Sequence, residues 1–142
     1  MAKYRKDGIR EVFTRVYAEI GDITKAKENG FDRVVEDIAI DYKDGYSGES
    51  IVLQNHYREN LIDAFNKLEV NVAFPSVGTD SGYPLEVAAE IAIRVVGLFL
   101  QSHMETMERI VWICKDEAEK AAYDKALSDL APKVAWWLKI EV

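Results

Sequence analysis

The segment Phe74-Pro75-Ser76-Val77-Gly78-Thr79-Asp80-Ser81-Gly82-Tyr83-Pro84 constrains the fold more than any other part of the chain. A short apolar run from Val70 to Phe74 leads into it, and an amphipathic stretch from Leu85 to about Ser102 leads out of it. Pro75 ends the first as a buried strand. Pro84 sits in the first turn of the second as a helix, where its missing N–H costs nothing. Gly78 and Gly82 let the backbone turn tightly between them. The helix turns the positive end of its dipole, with unpaired N–H groups, toward the bend. Mixed α/β proteins build phosphate sites at such places. The bend alone does not name a ligand.

The flanking pattern extends this unit. Tyr57, Leu61, Ala64, Phe65 and Leu68 recur at helical spacing between Asn55 and Leu68. Val87, Ala88, Ile91, Val95, Leu98 and Phe99 cover much of the next helix, which predicts deep burial. Arg109 to Cys114 reads as a second buried strand. Asp116 caps a helix through about Leu130, with Glu117 and Glu119 well placed in its first turn. Arg33 to Ile40 is a third strand candidate after Gly30, although Asp37 sits awkwardly in a buried strand. The tail from Lys133 to Val142 alternates, with Val134, Trp136, Leu138, Ile140 and Val142 on one face, as in an edge strand. The N-terminal stretch fits two patterns. Ile9, Val12, Phe13, Val16, Tyr17 and Ile20 suit a helix, while Val12, Thr14, Val16, Ala18 and Ile20 suit a strand. Asp41 to Ser50 reads as a polar loop. Helices alternating with strands predict an α/β fold of three layers. Its sheet should be mixed or mostly parallel, with about four to six strands. No repeat or linker divides the 142 residues, so residues 1–142 are expected to form a single domain.

Charge narrows the partners. Lysine and arginine number 18 against 25 aspartates and glutamates, a net charge of −7. Such a surface repels nucleic acid and anionic membranes, and direct nucleic-acid binding is not expected. An anionic ligand would depend on local backbone dipoles. Charges interrupt the longest apolar stretches, so no membrane span is expected. Met1-Ala2-Lys3-Tyr4-Arg5-Lys6-Asp7 leads into no signal-peptide core, and one cysteine suits a reducing, cytoplasmic setting.

Few side chains suggest chemistry. His56 and His103 have no second ligand at metal spacing, so no metal site is assigned. Cys114 lies within an apolar run and reads as a core residue. Asp37, Asp41 and Asp44 cluster near a strand end and could flank a pocket beyond the sheet, although a solvated loop explains them more simply. In Trp136-Trp137, one indole falls on each side of the tail strand; an exposed one would suggest an interface, most simply a homodimer. No dinucleotide-binding glycine motif, phosphate-binding Walker loop or Ser-His-Asp order is present. No cofactor and no catalytic residue is therefore assigned.

Three stretches resemble the macro domain family of ADP-ribose-binding and ADP-ribosyl-hydrolysing modules. His56-Tyr57-Arg58-Glu59-Asn60-Leu61 is similar to its CYRNSL helix. Val72 to Thr79 followed by Gly82-Tyr83-Pro84-Leu85-Glu86-Val87-Ala88-Ala89 is similar to its IAFPAISTG…GYPLEEAA segment. Ile110-Val111-Trp112-Ile113-Cys114, with Tyr123 and Leu127, resembles its last strand and helix. The resemblance covers about residues 41–130. Gly21-Asp22-Ile23-Thr24 matches either the GDIT that ends the family's first strand or a later segment before the Arg33–Ile40 strand. The family's NAAN and GGGV segments have no counterpart. The bend looks about one residue short, and Asp80-Ser81 stands where the family tends to have glycine and an aromatic residue. The resemblance implies binding of ADP-ribose or a related small nucleotide. Gly78, Thr79, Asp80, Ser81, Gly82 and Tyr83 would surround the diphosphate, with weak hydrolysis or none. Two alternatives follow from the missing segments: a dimerising or partner-binding module that has lost the nucleotide site, and a shortened domain with no function of its own.

Overall fold

The computed structural model describes residues 3–4, 10–11, 14–103, 106–133 and 138–141. Strands β1 (Lys3–Tyr4) and β2 (Arg10–Glu11) pair antiparallel as a small separate ribbon. The main sheet has five strands. They are β3 (Thr14–Ile20), β4 (Arg33–Val34), β5 (Asn71–Phe74), β6 (Arg109–Cys114) and β7 (Leu138–Glu141). Their order is β4-β5-β6-β3-β7, and every pairing is parallel. Helices α1 (Glu49–Asn66), α2 (Leu85–Ser102) and α3 (Glu117–Leu130) share one core with the sheet face carrying Val16, Val72, Phe74, Ile110 and Trp112. The opposite face, with Ala73, Val111 and Ile113, packs on Ala26 and Phe31 from a 3₁₀ turn (Ile23–Lys25) and its sequel. The expected α/β architecture with a mostly parallel sheet is thus present, and one of its outer layers is thin. Among the described residues, no helix is long and apolar enough to cross a membrane.

Aromatic rings fill the centre. Trp112, Tyr57, Tyr123 and Phe74 are fully buried. Trp112 stacks on Phe74 and Tyr123 at centroid distances of 5.8 and 5.4 Å. Their polar atoms are paired, as burial demands. Trp112 Nε1 donates to Tyr57 Oη at 3.0 Å. The Tyr123 hydroxyl hydrogen-bonds Ser76 Oγ at 3.0 Å, and Ser76 Oγ in turn meets Thr79 Oγ1 at 2.9 Å. The chain of bonds therefore runs from the middle of the sheet to the bend after β5. Burial pushes both tyrosine hydroxyls well above their ordinary pKa, which keeps them neutral donors.

Several elements differ from the sequence expectation for identifiable reasons. Residues 14–20 adopt the strand alternative, because β3 is held between β6 and β7. Strand β4 stops at Val34, where an eight-residue strand to Ile40 was expected. Val35 makes the last sheet contact, its N–H donating to Ala73 O at 2.9 Å. Asp37 then takes the Ile38 amide at 2.8 Å and turns the chain out of the sheet. The expected tail strand is present over Leu138–Glu141, on the edge of the sheet. Val134, Trp136, Trp137 and Val142 lie outside the described residues.

Helix α1 begins six residues before Asn55 because Glu49 organises its approach. Glu49 Oε2 accepts the amides of Lys43, Asp44 and Gly45 at 2.8, 3.0 and 3.0 Å, and Oε1 accepts that of Ser47 at 2.6 Å. The Lys43 amide foremost, then Glu49's own amide and those of Gly45 and Asp44, hold the carboxyl down to about 2. The loop so fixed places Tyr42 against Tyr83 of the bend, centroid to centroid 4.8 Å.

Two predictions follow from this packing. Tyr57→Phe leaves the buried Trp112 N–H without its acceptor and should cost about 1–3 kcal/mol in urea unfolding; an unchanged midpoint would mean that the indole has another partner. Glu49 has a depressed folded pKa against an ordinary value of 4.5. Its contribution is complete above about pH 4.5 and is lost as pH falls toward 2. Glu49→Gln should therefore flatten the fall of Tm between pH 5 and 2 seen in thermal melts, whereas parallel curves for the two proteins would count against it.

Candidate functional site

Parallel sheets place binding sites beyond the carboxyl ends of their strands, and this sheet has a cleft there of about 400 Å³. Gly21, Asp22 and Ile23 bound it after β3, Pro75 and Ser76 after β5, and Ile113 and Lys115 at the end of β6. Asp37, Asp80 and Glu119 complete the wall. Gly21-Asp22-Ile23-Thr24 follows β3 directly, so the GDIT-like segment stands at the end of that strand.

The bend beside the cleft is a 3₁₀ turn over Thr79–Ser81 between two glycines with positive φ, Gly78 at 82° and Gly82 at 111°. A side chain at Gly78 would also press on Ile40, whose Cδ1 would lie 3.1 Å from an added Cβ. Much of the turn's hydrogen-bonding capacity is already engaged. Gly78 N donates to Asp37 Oδ1 at 2.8 Å. The amides of Gly82 and Tyr83 donate to Thr79 O and Gly78 O at 3.2 and 3.1 Å. Ser81 Oγ accepts from Ile40 N at 2.8 Å and donates to Gly78 O at 2.9 Å. The Thr79 hydroxyl is held by Ser76. Thr79 and Asp80 open the turn, where a helical N–H has no acceptor behind it, and among the described residues their amides have no partner. Asp80 reaches the cleft, where its carboxylate meets Lys115 Nζ at 2.5 Å. The Tyr83 ring is buried against Tyr42, and Gly82 is exposed.

Pro84 is the N-cap of α2 and supplies no side-chain cap. The cleft lining, however, includes none of the first α2 residues.

The electrostatics of the cleft are acidic. Asp22, Asp37, Asp80 and Glu119 face one cation, Lys115. The Asp80 carboxylate holds the Lys115 ammonium above its usual pKa. Thr24, through its hydroxyl and then its amide, holds the Asp22 carboxyl below its usual value. Both of those bonds go to Oδ1, at 2.6 and 3.0 Å. Buried Glu119 accepts the Lys115 amide through Oε1 at 3.0 Å, while its own N–H is capped by Asp116.

Sequence reasoning singled out Asp80 and Asp37 from this group but missed Asp22, Lys115 and Glu119. The Asp116 cap already placed Glu119 in the first turn of α3; what brings it together with Asp22 and Lys115 is the parallel pairing of distant strands. Asp41 and Asp44 do not join Asp37. Asp41 is exposed beside Lys43, and Asp44 caps the Tyr46 amide in its own loop. His56 bonds Glu36 O, and His103 bonds Phe99 O and stacks on the Phe99 ring. Cys114 is buried, which pushes its thiol up to about 12 and leaves it inert as a nucleophile. Among the described residues, no group of three or more potential ligands could hold a metal ion.

No family model matches the chain. Curated relatives do. An O-acetyl-ADP-ribose deacetylase of Klebsiella pneumoniae (strain 342) is 37% identical over 81 residues, which are 56% of this chain and 46% of that protein. The O-acetyl-ADP-ribose deacetylase of Escherichia coli (strain K12) is 31% identical over 107 residues, 75% of this chain and 60% of the relative. The chain thus spans about half the length of the curated relatives it matches. Among solved structures, an Oceanobacillus iheyensis macrodomain with ADP superposes with a TM-score of 0.62 at 26% identity, covering 68% of this chain and 50% of that one. Over the part it shares with these proteins, the chain is similar to the deacetylases in sequence and to macrodomains in fold.

Proposed function

We propose that this chain binds ADP-ribose, or a related nucleotide diphosphate, through the cleft at the carboxyl ends of β3, β5 and β6. Binding is weak, with little or no ADP-ribosyl hydrolysis. The observation that carries this reading is the 3₁₀ turn beside the cleft, whose leading amides, Thr79 and Asp80, have no partner among the described residues. The names of the relatives support the choice of ligand, since they are deacetylases of O-acetyl-ADP-ribose and one macrodomain structure contains ADP. A volume of about 400 Å³ falls within the range of small-molecule sites. In this reading Gly78, Thr79, Asp80, Ser81, Gly82 and Tyr83 lie around the diphosphate. Among the described residues Asp22 Oδ2 accepts no hydrogen bond, and it suits an amino group of the base. Weak hydrolysis fits the engagement of Asp37, Asp80 and Glu119 by the chain's own donors.

The second reading is a partner-binding or dimerising module without a nucleotide site. It is favoured by the acidic lining and by Ile62 and Leu98, which are exposed between α1 and α2. Strand β7, at the sheet edge, is where two copies would meet. Both readings suit a cytoplasmic protein with a reduced cysteine and no direct contact with nucleic acid or membrane.

Calorimetric titration with ADP-ribose separates them. A ligand at ten times its Kd adds about 1.4 kcal/mol, which should raise Tm by roughly 3–6 °C. Absence of both heat and Tm shift at millimolar ADP-ribose would remove the nucleotide reading.

A further inference from the structure

Lys115 is the one cation among the described residues that line the cleft. It follows directly on β6, and its backbone is pinned. Its amide donates to buried Glu119 Oε1 at 3.0 Å, and the next residue, Asp116, caps α3. The side chain reaches from there to the bend after β5, where Nζ meets Asp80 Oδ1 at 2.5 Å with Glu119 Oε2 at 3.6 Å. This bridge is a surface one, its two side chains 60% and 64% exposed. Water and salt screen such a pair, so a competing anion can replace one member at small cost. A lysine suits the exchange. Its charge is compact, its stem is flexible, and its three donors turn to a new acceptor without moving the backbone.

The carboxylate that holds the ammonium belongs to the bend itself. The other acids of the wall are engaged elsewhere: Asp22 takes Thr24, and Asp37 takes the Ile38 and Gly78 amides. Asp80 is therefore the direct rival of a phosphate for Lys115. A diphosphate lying against the cleft face of the bend is repelled by Asp80 and drawn by the ammonium that Asp80 holds.

We propose that Lys115 is the side chain that recognises the diphosphate, and that Asp80 holds it in reserve: binding exchanges the Asp80–Lys115 bridge for one between Lys115 and a phosphate. This rests on the nucleotide reading above and gives a reason for weak binding, since the ligand displaces an internal carboxylate.

The experiment is calorimetric titration with ADP-ribose and with adenosine of the parent chain, Lys115→Gln, Asp80→Asn and the double variant, each first checked by circular dichroism and thermal melting. Both side chains are exposed, so the variants should keep the fold. Lys115→Gln should weaken ADP-ribose binding at least about fivefold, and Asp80→Asn should tighten it by a similar factor. The double variant should stay at least about twofold weaker than the parent, because the gain from Asp80→Asn needs the released ammonium. Adenosine affinity, or its absence, should change less than about twofold throughout. Three results overturn the exchange while leaving the nucleotide reading in place: ADP-ribose affinity unmoved by Lys115→Gln, adenosine weakened as much as ADP-ribose, or a double variant restored to parent affinity, which would mean that the two charges act independently. Absence of ADP-ribose binding to every folded protein overturns both.

Discussion

The architecture hangs on a buried line of polar contacts between aromatic side chains and the bend. Trp112 on β6 donates to Tyr57 on α1, and Tyr123 on α3 reaches Ser76 just after β5, which holds Thr79. Each group is out of water, so each needs its partner, and an unmade bond there costs more than a made one contributes. The consequence is geometric. Two helices and two neighbouring strands are fixed relative to one another, and the first residue of the 3₁₀ turn is fixed with them. A bend that could otherwise wander is therefore held at the edge of the cleft by the core itself.

A second set of contacts fixes the bend from the other side. Glu49 gathers four amides and sets the loop that brings Tyr42 onto Tyr83. Ile40 lies against Gly78 and gives its own amide to Ser81. Segment 37–49 thus packs along the bend over much of its length. It does so because β4 is short: once the chain leaves the sheet at Val35, it crosses in front of the bend instead of running beside β5.

What was legible in the sequence follows the range of the interactions responsible. Helices α2 and α3 and strand β6 could be bounded to the residue because their ends carry local signals, Pro84 before α2 and Asp116 before α3, and because β6 is a plain apolar run. The α1 start was misjudged because Ile51 and Val52, in its first turn, are exposed and break the apolar pattern. Its true beginning is set by a carboxylate reaching backward along the chain. Residues 14–20 satisfied two periodicities, and only pairing with β6 and β7 decides between them. The cleft was half visible: the bend announced itself, but Asp22, Lys115 and Glu119 come from segments that meet only when β3, β5 and β6 align.

The preserved bend also shows why a motif carries less information about a ligand than about a shape. Gly78 must stay glycine because its φ is 82° and Ile40 leaves no room for a side chain. Tyr83 is held by its packing on Tyr42. Pro84 starts α2. Each of these demands would persist in a protein that bound nothing, so the motif and the fold support each other without reference to phosphate. Ligand chemistry is decided by residues the motif does not contain. Electrostatic recognition depends on the sum of nearby charges and on which donors remain free, and here that sum is negative, with one bend amide held by an internal carboxylate. The backbone can therefore retain the curvature of an anion site while the side chains around it weaken its hold on an anion.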